Sequence, residues 1–346
     1  MSELLDSDPK NIPANLQATL ELCLDLRLKD PSLNTTNTMR LFNGFYEGLP
    51  RLTVDLYSQT LVISDHDREV ASRRELHQAF AQFYVEALPG VSSVLLKQRH
   101  AQDVKLRQGE LILGEQVSTV IEENGISYAL DLKLNQDASF YPDTRNLRRW
   151  LSQQTEDARV LNCFAYTGAL GIAALAGGAS EVVQTDLNPH FLAVAKRSQA
   201  LNHFSGVMKT LSQDFYPMVA SFKSQSELFD CVIVDAPLFS KTRRGRVDLL
   251  QNWHGLINKV RPLIGHEGFL VAINNALFLP GAELMKSVGK LTADGYLEFV
   301  QIVPVPQDVT GYPESIVAQF PVDPAPFNHP TKIIIMRAHR KDGRRA

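Results

Sequence analysis

VLNCFAYTGALG, residues 160–171, decides how the chain is read. An apolar run with the look of a strand passes into a turn of small residues, and Gly168 and Gly171 open a helix. Small residues let the backbone approach a ligand closely, and the free amides at a helix start attract a carboxylate or phosphate. Tyr166 stands two positions before Gly168, so the GxGxxG fingerprint of a dinucleotide site is incomplete. That speaks against a nucleotide-dependent oxidoreductase.

Downstream, SEVVQTD (180–186) ends on Asp186, eighteen residues after Gly168, where a carboxylate can accept from ribose hydroxyls. VMKTLSQD (207–214) ends on Asp214, placed to meet an adenine amino group. Each acid alone reads equally well as a helix cap, and Asp186 before Leu187, Asn188 and Pro189 has that pattern. Three such features at successive strand ends point to an adenosine-type ligand. With ARVLNCFA (158–165), LFDCVIVD (228–235), GFLVAINN (268–275), LEFVQIVP (297–304) and TKIIIMRAH (331–339), seven short strands alternate with helical stretches. This rhythm predicts an α/β fold on a parallel sheet, with its ligand crevice at the carboxyl ends of the strands. Asp235 and the pair Asn274–Asn275 also stand at strand ends, so they belong to the site while the strand bodies belong to the core. Alternation sends the two amides to opposite faces; Asn274 is expected in the cleft and Asn275 in the turn that follows.

Upstream, Leu16, Leu20, Cys23 and Leu24 recur at helical spacing, and residues 39–134 read as a small α+β unit. The division expected is an N-terminal helical extension (1–36), a small α+β domain (37–135) and the larger α/β domain (136–346). A proline-rich connection, 304–330, reads either as a lid or binding loop or as a surface cover.

The chain has 346 residues, 44% hydrophobic and 21% charged, enough for two domains with a buried core. Three unevenly spaced cysteines form neither a disulfide framework nor a metal site, which fits a reducing compartment. The acidic, polar MSELLDSDPK is no secretory signal, and no apolar run spans a bilayer, so a cytoplasmic protein without membrane contact is expected. A net charge of −3 argues against coating nucleic acid by bulk charge, but Lys241, Arg243, Arg244 and Arg246 cluster in KTRRGR beside the candidate site. That run reads as a solvated face or as a phosphate contact for RNA. The sequence leaves a homodimer open.

VLNCFAYTGALG, TDLN, SQDF and VDAPLF together resemble the motifs of the class I S-adenosylmethionine-dependent methyltransferases. Within that superfamily, ASFYPDTRNLRRW before the first strand and the small α+β unit are similar to the large-subunit (23S) ribosomal RNA methyltransferases of the RlmI and RlmKL type, over roughly residues 39–346. The resemblance implies a Rossmann-like sheet of seven strands, the last antiparallel, preceded by the small domain. It implies S-adenosyl-L-methionine as cofactor, held by Asn162, Phe164, Ala165, Thr167 and Gly168, by Asp186 and Leu187, by Asp214 and Phe215, and by Asp143, Arg145 and Asp235. For Arg145, a salt bridge that merely holds its segment is the other reading. Asn162 stands where many relatives have aspartate, and the 36 residues ahead of the α+β unit are too few for the RNA-binding PUA domain of RlmI-type members. The fourth motif, with Asp235, Pro237 and Phe239, implies the acceptor pocket together with Asn274.

Methyl transfer from a sulfonium is an in-line displacement, so the protein must position the nucleophile and exclude water. Pyrimidine carbon 5 needs in addition a cysteine thiolate. RlmI-type members carry that cysteine where this chain has Asn274, and Cys163 and Cys231 both read as core residues. A carboxylate and an amide at neighbouring strand ends suit a purine edge. Guanine N7, which has no proton to lose, is the favoured acceptor, and the RlmKL-type guanine-N7 half shares the two asparagines. Phe239 reads as a ring that stacks on the base or as one that closes the core. Other readings kept open are a cytosine-C5 methyltransferase, one acting on protein or a small molecule, and an RNA-binding protein without catalysis.

Overall fold

The structure is a computed structural model and describes residues 14–67, 74–241, 246–248, 250 and 252–346. It divides into two units. The first comprises Met1–Pro142 and Pro306–Gln319, the second Asp143–Val305 and Phe320–Ala346.

In the first unit, α1 (Ala14–Leu28) buries Leu16, Leu20, Cys23 and Leu24 in one core with Leu41, Phe42, Val54, Phe80 and Tyr84. Its sheet runs in chain order, β1 (Thr38–Asn43), β2 (Leu52–Tyr57), β3 (Thr60–Asp65), β4 (Ser93–Gln98) and β5 (Glu110–Leu113). The short helix α2 (Gly44–Glu47) follows β1, α3 (Arg74–Ala87) joins β3 to β4, and α4 (Val104–Gln108) precedes β5. A hairpin of β6 (Val120–Glu123) and β7 (Ile126–Ala129) completes it.

The unit boundaries differ from those expected, and one ion pair shows why. Arg27 on α1 and Glu47 on α2 are both fully buried and joined by two parallel N–H···O bonds of 3.0 Å. Buried charges must have their remaining donors and acceptors satisfied. Arg27 also donates to the carbonyl of Asp308, and Glu47 accepts from the Ser315 hydroxyl. Asp308 in turn accepts the Arg40 N–H. Helix α1 is therefore part of this unit's core, and residues 306–319 of the proline-rich connection are strapped across it.

The second unit begins with α5 (Arg145–Gln154). It then alternates β8 (Arg159–Cys163), α6 (Ala169–Ala176), β9 (Glu181–Asp186), α7 (Pro189–Ala200), β10 (Val207–Ser212), α8 (Phe215–Ser224) and β11 (Phe229–Val234). A hairpin, β12 (Phe239–Lys241) and β13 (Arg246–Asp248), leads to α9 (Trp253–Val260) and β14 (Ile264–Asn274). Helix α10 (Gly281–Thr292), β15 (Leu297–Val303) and β16 (Lys332–Ala338) follow. The sheet order is β10-β9-β8-β11-β14-β16-β15, and β16 runs antiparallel to both its neighbours. All seven strands expected from the sequence are present, with the last one antiparallel. The central strands have apolar bodies, with Leu161, Val232, Ile233, Leu270 and Ile334 fully buried, whereas the edge strands β10 and β15 are largely exposed or half-buried. The chain leaves β8 for β9 and β10 on one side and returns to β11 on the other, which makes the end of β8 the switch point where a crevice opens.

Candidate functional site

After Cys163 the backbone enters the left-handed region three times, at Phe164 (φ 57°), Tyr166 (φ 51°) and Gly168 (φ 81°). For the two residues with a Cβ this strain amounts to roughly 1 kcal/mol or more each. Fixed partners hold the loop in place. Ala165 N–H donates to the Thr185 carbonyl at 2.8 Å, and Tyr166 N–H to Asp186 Oδ2 at 2.9 Å. From below, Asn162 Nδ2 donates to Gln184 Oε1 at 2.8 Å, and Gln184 Nε2 donates to the Gly168 carbonyl at 2.9 Å. A Cβ at Gly168 would stand 2.5 Å from that of Ala195, and one at Gly171 would stand 2.5 Å from Gln184 Nε2. The two glycines are thus required by the buried amide beneath them as well as by the close approach of a ligand.

Asn162, expected to touch the cofactor, is instead fully enclosed and supports the loop through Gln184. Gln184 itself escaped the sequence reading; its signal was one amide inside the apolar strand EVVQTD.

Asp186 is partly buried, with Oδ2 on Tyr166 N–H and Oδ1 on Asn188 N–H. Burial pushes its carboxyl up, and the backbone N–H groups oppose that shift. The cap of α7 is Asn188, which accepts from His190 N–H, so Asp186 is not the cap; it ties the end of β9 to the loop. Leu187 beside it is exposed. Asp214 caps α8 through Tyr216 N–H at 3.1 Å, in agreement with its simpler reading. Phe215 is buried, and its ring stacks on Phe164 with centroids 4.8 Å apart. Thr167 is also buried.

Asp235 follows β11, and Asp143 precedes α5. Burial first, and the charge of Asp143 second, push the Asp235 carboxyl up to about 7. Asp143 Oδ2 accepts from the Thr331 hydroxyl at 3.0 Å. Arg145 is buried at the start of α5, and Arg148, one turn on, donates to Thr144 Oγ1 at 2.7 Å. The carboxyls of Asp143 and Asp235 thus lie close enough for one charge to raise the other's pKa.

At the end of β14 the two asparagines depart from their expected places. Asn274 is fully buried, and its Oδ1 accepts the Ala276 N–H at 2.9 Å, so it ties down the turn; Asn275 is the exposed amide. The physical reason is that the end of β14 is buried on both faces, so alternation cannot tell which amide meets solvent; the turn decides. Pro237 and Phe239 are exposed, Phe239 to 57%, so the ring does not close a core. Lys241 and Arg246 are register partners in the β12–β13 hairpin, while Arg243 and Arg244 lie outside the described residues. Cys23, Cys163 and Cys231 are all buried, and burial pushes the thiols of Cys23 and Cys231 up to about 12 and that of Cys163 higher still. Among the described residues, no helix is long and apolar enough to cross a membrane.

Comparison with known proteins agrees with this geometry. A ribosomal RNA large subunit methyltransferase I of Aeromonas salmonicida is 35% identical over 209 residues, 59% of this chain and 52% of that one. A ribosomal RNA large subunit methyltransferase of Deinococcus radiodurans is 30% identical over 260 residues, 73% of this chain and 63% of that one. The chain thus spans between half and two thirds of these relatives' length. Among solved structures, a putative S-adenosylmethionine-dependent methyltransferase from Streptococcus mutans superposes with a TM-score of 0.78 at 19% identity, over 96% of this chain and 84% of that one, which shows a shared fold. The model of a family described as S-adenosylmethionine-dependent methyltransferase matches residues 40–310, and the chain belongs to that family.

Proposed function

We propose that the chain transfers a methyl group from S-adenosylmethionine to a base of large-subunit ribosomal RNA, at a purine nitrogen, with guanine N7 favoured. The names of the two relatives above support the substrate class. The bound cofactor supplies an electrophilic methyl group on a sulfonium. This chain's residues fit it. The strained 164–168 loop gives close backbone approach, Asp186 lies beside that loop, and the Asp143–Asp235 pair is a repulsive, desolvated site suited to the positive end of the molecule.

The choice of nitrogen rests chiefly on the cysteines. Addition to a pyrimidine ring requires a thiolate in the cleft, and all three thiols are buried with their ionisation suppressed. Guanine N7 offers an in-plane lone pair and loses no proton, so positioning and exclusion of water suffice. The exposed Asn275 takes the part first expected of Asn274, an amide able to donate and accept along a base edge. The small first domain and KTRRGR are proposed to contact RNA phosphates.

Transfer of a labelled methyl group to large-subunit RNA that lacks its own modifications tests the proposal. Wild type labels the RNA and Asp235→Ala does not. Absence of label with folded, cofactor-binding wild type would remove the reading.

A further inference from the structure

Lys332, the first residue of β16, is fully buried. Its ammonium has no carboxylate partner among the described residues; Nζ donates to the carbonyls of Ala276 at 3.1 Å and Pro330 at 2.7 Å. Burial alone pushes its pKa down to about 8. A charge enclosed with only carbonyl partners opposes folding, so its presence calls for a function in placing what it holds.

What it holds is one peptide. The Ala276 carbonyl that accepts from Lys332 also accepts the Leu279 N–H, closing a β-turn over residues 276–279. The Ala276 N–H is bound to Asn274 Oδ1, and Asn274 is the register partner of Lys332 across the β14–β16 pair. After the turn, Gly281 N–H donates to the Asp323 carbonyl, and a Cβ at Gly281 would stand 1.9 Å from the Pro324 carbonyl oxygen. The turn is therefore held at its first residue, by the bond that closes it, and just beyond its end. Its two central side chains are apolar and face solvent, Leu277 and above all Phe278, 67% exposed; Asn275 just before them is exposed too.

Rigid backbone under an exposed aromatic is the opposite of what a solvated surface turn needs. This turn leaves β14 at the same sheet edge from which the segment carrying Asp235 and the exposed Phe239 leaves β11, the strand paired with it in parallel. An aromatic face beside an amide is a pattern that binds an unpaired base, since every base has a π-face and a polar edge.

We propose that the 276–279 turn receives the acceptor base: Phe278 stacks on an unpaired purine of the RNA, Asn275 reads its edge, and Lys332 with Asn274 are positioning residues that hold the turn. This rests on the RNA reading above. Thr331 and Lys332 then serve both halves of the site from one dipeptide, Thr331 through Asp143 and Lys332 through the turn.

The test uses the full-length protein and a single-stranded RNA of mixed sequence carrying 2-aminopurine, titrated at low salt. Wild type quenches the fluorescence, and Phe278→Ala binds about tenfold or more weakly with the quench lost, while Phe278→Tyr restores both. Lys332→Met weakens RNA binding similarly, and in both variants cofactor affinity measured by calorimetry stays within about twofold of wild type. A general folding defect would weaken cofactor binding as well, and that result for both Phe278→Ala and Lys332→Met would overturn the proposal. So would an undiminished quench in Phe278→Ala, or RNA binding by wild type without quench. The quench does not depend on methyl transfer, so failure of the RNA-methylation reading shows separately, as quench without labelled product.

Discussion

Asn162 and Gln184 face each other inside adjacent strands, amide to amide at 2.8 Å, and Gln184 passes the constraint on to the Gly168 carbonyl. The 164–168 loop is thus shaped by two fully buried side chains. Replacing Gln184 with Leu leaves the Asn162 Nδ2 without a partner in a buried place and takes one of two donors from the Gly168 carbonyl, which keeps the Ile172 N–H. The expected loss is about 1 to 3 kcal/mol of stability, together with about tenfold weaker cofactor binding. Chemical denaturation and calorimetric titration measure the two separately; unchanged cofactor affinity would mean that the loop holds its strained shape unaided.

With Asp235 at the cofactor, as proposed, binding is expected to depend on pH with a definite sign. Its folded value, about 7, lies above the ordinary 3.8, so below pH 7 the ligand-free carboxyl is protonated. A cationic guest binds the carboxylate form. Affinity therefore rises with pH by up to about tenfold per unit below 7, levels off above it, and binding releases a proton in that window. The same shift makes the ligand-free fold lose stability as pH rises from about 4 to 7. Calorimetry in buffers of differing protonation enthalpy reads the proton release directly, and Asp235→Asn is expected to flatten the profile.

The cysteines supply a third prediction. Cys231→Ala and Cys163→Ala each remove a buried sulfur, costing about 1 to 2 kcal/mol of stability. Neither is expected to change kcat for methyl transfer at 25 °C by more than about twofold. A thousandfold loss in either variant would reinstate a covalent route through carbon 6 of a pyrimidine.

Neutralising Lys241, Arg243, Arg244 and Arg246 to glutamine tests the phosphate role of KTRRGR. RNA methylation is expected to fall at moderate salt, and the slope of log affinity against log salt to become shallower by about 0.7 for each single-strand phosphate that no longer meets a cation. Cofactor affinity serves as the internal control and should not move.

Much of the molecule was legible because the central strands of its larger sheet are buried. Such strands are nearly continuous apolar runs, and polar residues at their ends stand out; Asp186, Asp214 and Asp235 all lie where those runs stop. The same burial hid the rest. Gln184 is a polar residue inside an apolar strand with partners 16 and 22 residues away in sequence, and Lys332, at the start of another, reaches Ala276, 56 residues away, as well as nearby Pro330, so the long-range bonds had no local mark. Alternation separated Asn274 from Asn275 but could not say which one the Ala276 N–H would claim. The domain boundary failed to show for a related reason: Arg27 is bound to the carbonyl of Asp308, 281 residues downstream, and no composition shift announces an interaction of that range.

The most direct measurement is the identity of the modified nucleoside. Large-subunit RNA free of its native modifications, incubated with the protein and isotopically labelled S-adenosylmethionine, is digested and resolved by mass spectrometry. The account predicts label in a methylated purine, 7-methylguanosine before any other, and its loss in Asp235→Ala. Label in 5-methylcytidine would contradict it, because no thiol described in this structure is open to the cleft.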